Sequence, residues 1–267
     1  MVTEQPDLLM AVDIGNTSVH LGVFRSEELV ASYRLAANAN RLTDEYAIII
    51  LSLLRNGGVS PEQISDCVLG STVPPLTQTF EELARRYFGI QPLVVGSGVR
   101  TGVRILYDSP RDVGPDRIID AVAAIRLYGP PVIVVDFGTA TVFDAVSREG
   151  DYLGGAIAPG IGIAANALFE HAAMLYRIEL ERPRCAIGKN TVHAMQSGIM
   201  FGYVGLVEGI VDRFQRELGG NATVVATGGY ASLIARETPA IQQVEPNLTL
   251  TGLRIIYDLN RGPHAER

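Results

Sequence analysis

The stretch Met10–Phe24, MAVDIGNTSVHLGVF, reads as an apolar strand that is broken by Asp13, Gly15, Asn16 and Thr17 and resumes at once. Gly and Asn favour turns between strands, so a plain hairpin accounts for the break. The same small residues let backbone N–H groups approach an anion, so the break equally suits a phosphate. The pattern then returns. Val132–Ser147, VIVVDFGTATVFDAVS, is again a strand, an Asp-x-Gly-Thr break and a strand, with Asp136 matching Asp13 and Gly138 matching Gly15. A repeat of about half the chain is a duplicated lobe rather than a solenoid period. Strands followed by helices in each half predict an α/β fold of two lobes facing each other across a cleft.

Around the first break, strands are predicted at Leu8–Val12, Val19–Phe24 and Leu29–Leu35. Thr43–Arg55 reads as a helix capped by Thr43 and stopped by Asn56-Gly57-Gly58. A buried strand at Asp66–Val73, an amphipathic helix at Leu76–Gly89 and a strand at Pro92–Gly96 follow. A helix then runs from Asp116 to Tyr128, with Pro115 suitably placed near its start. Beyond the second break come a strand at Tyr152–Gly160, a long helical region at Thr191–Leu218, a strand at Thr223–Gly229 and a terminal helix near Leu253–Leu259. No Ser/Pro-rich linker separates the halves. Residues 1–118 are expected to form a lobe with the first phosphate loop, and 119–267 a lobe with the second and an adenosine motif at Ala226–Tyr230. Taken alone, that last Gly pair also fits a plain strand-to-helix turn.

Composition narrows the chemistry. At 267 residues, 47% apolar and 19% charged, the chain can bury a sizeable core. Its 29 acidic residues against 22 basic ones give a net charge of −7, which argues against nucleic-acid binding. No uninterrupted apolar run reaches the ~18 residues of a membrane span, and Asp7 and Asp13 bracket the apolar start, so neither a span nor a signal peptide is expected. Two cysteines, Cys67 and Cys185, and four scattered histidines give no disulfide framework or metal cluster, which points to a reducing, cytoplasmic setting. Lys189 is the only lysine and is followed by Asn190, so the Gly-Lys-Ser/Thr of a P-loop is absent. A nucleotide site here must rest on backbone, carboxylates and metal.

Each Asp-x-Gly break offers N–H groups, a hydroxyl (Thr17 or Thr139) and a carboxylate. A carboxylate repels phosphate, so it belongs there only with a cation between them, as Mg²⁺ is in phosphoryl transfer. Either break alone reads as a turn, but two in corresponding positions favour phosphate binding. In VGPDRIIDAVAA, Asp116 stands at a helix start, where the dipole favours its charge. Capping beside a solvated arginine is one reading. The other makes Asp116 a general base toward a hydroxyl and Arg117 a bidentate partner for a substrate carboxylate.

In order, DIGNT, YDSPRDVGPDR, DFGTATVFD, GGAIAPG, GKNTVHAMQSG and ATGGY resemble the motifs of the type III pantothenate kinases, over about Met10 to Leu259. The resemblance implies two ribonuclease-H-like lobes in an actin-like ATPase fold of the acetate and sugar kinase/Hsp70/actin superfamily. It implies a cytoplasmic homodimer that phosphorylates pantothenate with ATP, Mg²⁺ and a monovalent cation (K⁺ or NH₄⁺), in the first step of coenzyme A synthesis. The ATP loop would be Asp13, Ile14, Gly15, Asn16, Thr17, Ser18, Val19 and His20, with Asp13 on the Mg²⁺ side and Thr139 touching ATP from the second loop. Asp136 would hold the monovalent cation. Asp116 would be the base, with Gly114, Pro115, Asp116 and Arg117 lining the pantothenate pocket and Tyr107 and Thr191 completing it. By themselves, Tyr107 and Thr191 read as a core-edge tyrosine and a helix cap. Three positions depart from the family pattern: Pro115 for Ala, Asp120 for Asn and Val142 for Thr. Alternatives within the fold are a kinase for another hydroxylated acid, a regulatory accessory protein with weak or no kinase activity, and a slow nucleotide hydrolase.

The segment Ser197–Phe214 carries apolar residues on more than one helical stripe, and Gly198, Gly202, Gly205 and Gly209 would let another backbone approach. Burial in its own lobe and packing in a homodimer both fit, and the resemblance favours the dimer.

Overall fold

The structure, a computed structural model, describes residues 8–172 and 174–261. The chain divides into two compact units. The first runs up to Gly102 and adds Ser109–Ala123 and the segment from Thr249 on; the second is Val103–Asp108 with Ala124–Leu248.

The first unit holds β1 (Leu8–Ile14), β2 (Ser18–Arg25), β3 (Glu28–Ala36), β4 (Ile64–Ser71) and β5 (Leu93–Val94) in the order β3-β2-β1-β4-β5. β1, β2 and β3 form an antiparallel meander, while β4 lies parallel to β1. A parallel neighbour requires a crossover, and α1 (Thr43–Asn56) supplies it between β3 and β4. Leu8, Met10, Val12 and Ile14 share a core with Tyr46, Ile50 and Leu54 of α1 and with Phe80 of α2 (Pro74–Leu83). Leu9 and Ala11, on the opposite face of β1, are buried as well, as expected for a central strand covered on both sides. The predicted helix at Leu76–Gly89 is in fact α2 followed by a wide π-type turn at Ala84–Phe88, closed by Gly89 at φ +70°.

Thr43 is not the cap of α1. The helix starts after Leu42, whose N–H donates to the Glu45 carboxylate at 2.8 Å. The Thr43 hydroxyl donates instead to Glu82 at 2.8 Å. Glu45 three residues into the helix does the capping that a Thr was expected to do.

The second unit repeats the arrangement. β6 (Val132–Phe137), β7 (Ala140–Val146), β8 (Tyr152–Pro159), β9 (Thr223–Gly228) and β10 (Gln243–Val244) form a sheet in the order β10-β9-β6-β7-β8. The meander β6-β7-β8 is antiparallel, and β9 runs parallel to β6. The crossover is made by α4 (Ile161–His171), which was not anticipated, and by α5 (Thr191–Leu218), whose bounds match the sequence reading. Ile133, Val135 and Phe137 pack with Met200, Tyr203 and Val207 of α5 and with α6 (Ala231–Ala235). α5 has the length and composition of a membrane span, yet half of its most apolar stretch is buried inside this unit. Thus β6 stands to the second sheet as β1 stands to the first.

The sequence led to a single boundary at 118/119, whereas the chain passes between the units more than once. α7 (Leu248–Asn260) lays Leu250 and Leu253 against the first sheet at Gly22 and Gly70, where a Cβ would come within 2.8 Å of Leu250 and 3.1 Å of Leu253. Residues 103–108 join the second unit through main-chain hydrogen bonds between Tyr152 and both Arg104 and Leu106. α3 (Pro115–Tyr128) begins in one unit and ends in the other.

Candidate active site

Asp13 stands half-buried next to the end of β1, and in register with it are His20 on β2 and Gly70 on β4. The turn closes with the Gly15 N–H donating to the Ser18 carbonyl at 3.0 Å. Ile14 and Val19 are fully buried in the core, so they can offer a ligand only backbone, whereas Asn16 and Thr17 are exposed. His20 is 7% exposed and its Nε2 lies 2.9 Å from the Ser32 hydroxyl. Burial, reinforced by the Arg34 charge, pushes its pKa down from 6.5 to about 4, so the ring is neutral at pH 7.

The second turn is more confined. The Gly138 N–H donates to Ala140 at 3.0 Å, and Thr139 is exposed. The Gly160 N–H donates to the Thr139 carbonyl at 3.2 Å, and the Gly229 N–H to the Phe137 carbonyl at 3.1 Å. Gly160 precedes α4, so the free N–H groups of that helix start beside Thr139, where a helix N-terminus favours anions. Asp136 lies between two glycines. A Cβ at Gly228 would stand 2.6 Å from one carboxylate oxygen, and one at Gly138 would stand 3.3 Å from the other. Gly228 also sits at φ +89°, which favours glycine. The ATGGY segment therefore makes the strand-to-helix turn from β9 into α6 and walls in Asp136. Gly229 next to it faces open space.

At the start of α3, Asp116 folds its carboxylate back over Gly114, where any Cβ would collide with Oδ1. The carboxylate accepts from the Arg117 backbone N–H, and burial raises its pKa above the usual aspartate range despite the neighbouring Arg117 charge. Arg117 itself is buried. One turn on, Ile119 packs on Gly70, the β4 residue in register with Asp13, and a Cβ there would stand 2.7 Å from Ile119 Cδ1. Gly252 of α7 leaves room for the backbone of the same Ile119. Two glycines thus let α3 settle onto the sheet that carries Asp13.

Tyr107 lies against β8, packed on Tyr152 and over Gly154. Thr191 is not a cap: Asn190 caps α5 through its side chain, which accepts from the His193 N–H at 2.9 Å, and Thr191 is the first helical residue. Thr191 borders a cavity of about 920 Å³ formed by the end of β8, α4 and α5, together with Lys189, Ile199 and Tyr203. Sequence reasoning did not foresee that Gly160 crowds Thr139 or that Gly228 confines Asp136, although both glycines lie in the quoted motifs. The signal was present, but the partner was invisible without the fold.

Among the described residues, no group of three or more His, Cys, Asp or Glu side chains could hold a metal. A divalent ion at Asp13 would therefore take most of its ligands from phosphate and water, which suits Mg²⁺. At Gly228 the Asp136 carboxylate and the Phe137 carbonyl both lie 2.6 Å from where a Cβ would stand, a pair of oxygens of the kind that hard cations take.

The sequence profile of the type III pantothenate kinase family matches residues 9–213. A type III pantothenate kinase from Roseiflexus sp. (strain RS-1) is 53% identical over 254 residues, which is 95% of this chain and 100% of the relative. One from Moorella thermoacetica is 54% identical over 253 residues, with 95% and 100% covered. Among solved structures, the chain is similar to a protein of Campylobacter jejuni described as a Baf family transcriptional activator, at TM-score 0.60 and 17% identity, covering 94% of this chain and 98% of that one. It is also similar to an inorganic polyphosphate/ATP-glucomannokinase from Arthrobacter sp. strain KM, at TM-score 0.51 and 13% identity, covering 96% and 100%. These structural likenesses show the fold, an α/β fold.

Proposed function

The chain belongs to the type III pantothenate kinase family, and from that premise we infer that it transfers the γ-phosphoryl group of ATP to pantothenate, the first step of coenzyme A synthesis. The observation that carries this reading is the pair of Asp-x-Gly turns at the same place in two sheets of the same topology. One turn alone would be a hairpin; two with intact carboxylates are a phosphate-handling device.

We further propose how the residues divide the work. The Asp13–His20 turn receives the ATP phosphates, with Asp13 on the Mg²⁺ side, and Thr139 contacts ATP from the second turn. Asp136 holds the monovalent cation, K⁺ or NH₄⁺. Mg²⁺ supplies charge neutralisation of the phosphates when bound. Asp116 takes the proton of the attacking hydroxyl; its raised pKa makes it a better base than an ordinary aspartate. Gly114, Pro115 and Arg117 line the pantothenate pocket, with Arg117 pairing the substrate carboxylate, and Tyr107 and Thr191 complete it. Pro115 removes one N–H from that lining, while Val142 removes a hydroxyl from the strand after the second turn.

A homodimer is proposed as the working form. A Cβ at Gly198, Gly202 or Gly205 meets nothing within 4 Å, so one face of α5 is open to a close backbone neighbour. Sedimentation showing a fully active 28.7 kDa monomer would refute it. The central test is ATP-dependent phosphorylation of pantothenate, followed with and without K⁺. Turnover that requires pantothenate and rises with K⁺ is expected. ATP hydrolysis indifferent to pantothenate would overturn the reading in favour of a slow hydrolase. Binding without turnover would favour the regulatory accessory reading.

A further inference from the structure

Residues 103–108 form a strap on the outer edge of β8, and one residue sets its register. The Tyr152 N–H donates to the Arg104 carbonyl at 2.9 Å, and the Leu106 N–H donates to the Tyr152 carbonyl at 2.8 Å. Ile105 thereby bridges to Tyr152 in parallel fashion, and Arg104 pairs with Asp151. Two residues along, the Tyr107 ring leans on the Tyr152 ring, with centroids 6.5 Å apart and planes inclined at 51°. It also covers Gly154, where a Cβ would stand 3.2 Å from ring atoms Cδ2 and Cε2. Gly154 sits at φ +126°. Tyr152 is fully buried, and its hydroxyl donates to Oδ1 of Asp144 at 2.7 Å. Asp144, buried as well, lies on β7, the strand that leaves the second turn at Ala140.

A carboxylate inside a sheet-packed core is costly unless it is well bonded, and a bonded one fixes its donor in place. The hydroxyl of Tyr152 is thereby anchored to β7, its backbone holds the strap and its ring packs against Tyr107. We propose that Tyr152, with Gly154, is the positioning residue for Tyr107, and so sets the affinity for pantothenate without touching it. The inference rests on the assignment of Tyr107 to the pantothenate pocket.

Tyr152→Phe keeps the ring and deletes only the hydroxyl. Its pantothenate KM is expected to rise roughly three- to tenfold, the loss of one buried hydrogen bond passed on to a binding group. The KM for ATP and kcat should stay within about twofold, since neither depends on the strap in this scheme. Tyr107→Ala should raise the same KM, and adding Tyr152→Phe to it should raise it no further, because a residue that acts through Tyr107 has nothing left to position. Additive effects, or a Tyr152→Phe enzyme with unchanged pantothenate KM beside an affected Tyr107→Ala, would overturn the proposal and leave the pocket assignment standing. An unchanged KM in Tyr107→Ala would instead overturn the pocket assignment, and the proposal with it. Should Tyr152→Phe fail to fold, Gly154→Ala, which pushes a methyl into the Tyr107 ring, carries the test. Raised pantothenate KM with ATP KM intact supports the positioning role, and an unchanged KM refutes it.

Discussion

The two Asp-x-Gly turns are the same device in different surroundings. Across its hairpin Asp13 faces His20, and Asp136 faces Val142; on the parallel side their partners are Gly70 and Thr227. The first turn is roomy, since a Cβ at Gly15 would meet only the Ser18 carbonyl at 3.3 Å. Gly138 is no tighter, at 3.3 Å from Asp136, but the second turn is hemmed in by Gly160 and Gly228, where a Cβ would come within 2.6 Å of the Thr139 backbone or of Asp136. A confined carboxylate is preorganised for one small fixed partner, while an open one can follow a larger ligand. This asymmetry supports the proposed division, with the cation at Asp136 and the metal-bound phosphates at Asp13.

The largest effects come from breaking that division. Asp13→Ala should abolish turnover at every K⁺ concentration and require far more Mg²⁺ for any residual rate. Asp136→Ala should retain a basal rate that no longer responds to K⁺. Titrating both variants with Mg²⁺ and K⁺ checks this, and a wild-type K⁺ response in both would show that the two turns are functionally alike.

Next in size, Asp116→Asn should lower kcat by roughly 10²–10⁴ while ATP binding persists, since neither turn carboxylate can replace the base. The pH profile sharpens the point. A base works deprotonated, so activity falls as pH drops through its pKa, and burial has moved that pKa above the ordinary aspartate value of 3.8. The acid limb of kcat/KM, which reports the free enzyme, should accordingly lie above that value in the wild type and vanish in the residual activity of Asp116→Asn. Near-wild-type turnover in the variant would reduce Asp116 to a helix-start residue folded over Gly114.

What the sequence disclosed follows the same contrast. The repeat was legible because each central strand is apolar up to an Asp-x-Gly break, a local pattern that fixes where the hairpin falls. α5 was legible to its ends, because Asn190 precedes an apolar helical pattern that runs until Gly219. α4 was missed because its residues follow a strand without a capping side chain; Gly160 opens it with backbone alone. Placing α7 in the first unit was not legible either, because it depends on Leu250 and Leu253 meeting glycines far away in sequence. Residues of the site were named from motifs, but whatever confines or positions them, such as Gly228 beside Asp136 and Tyr152 behind Tyr107, is non-local contact.

Stability distinguishes the turns at the next level. Gly228→Ala forces a Cβ to 2.6 Å from both Asp136 and the Phe137 backbone at φ +89°, and Gly160→Ala drives one into the Thr139 carbonyl. Each should cost about 3 kcal/mol, from overpacking against rigid backbone and, at Gly228, added strain. Gly15→Ala should cost under about 1 kcal/mol, since its neighbour needs to yield only slightly. Urea unfolding of the three variants orders them, and equal losses would mean that the second turn is no tighter than the first.

The smallest effect lies in the residues that face the two aspartates. His20 titrates and Val142 does not, so the first hairpin alone should carry an acid sensitivity. Around His20 stand the Ser32 hydroxyl, the Arg34 charge and, in register, Asp13. Its folded pKa of about 4 lies below the ordinary histidine value of 6.5, so between these limits the unfolded chain binds the extra proton. The stability that goes with the neutral ring is therefore present above pH 6.5 and lost as pH falls toward 4. Moving from pH 7 to about pH 5.5 should cost on the order of 1 kcal/mol from this residue. His20→Gln, which keeps a hydrogen-bonding group near Ser32 and cannot be charged, should lose that part of the slope. Thermal unfolding at the two pH values reads the difference, and parallel wild-type and His20→Gln curves would show that the imidazole is as easily protonated folded as unfolded.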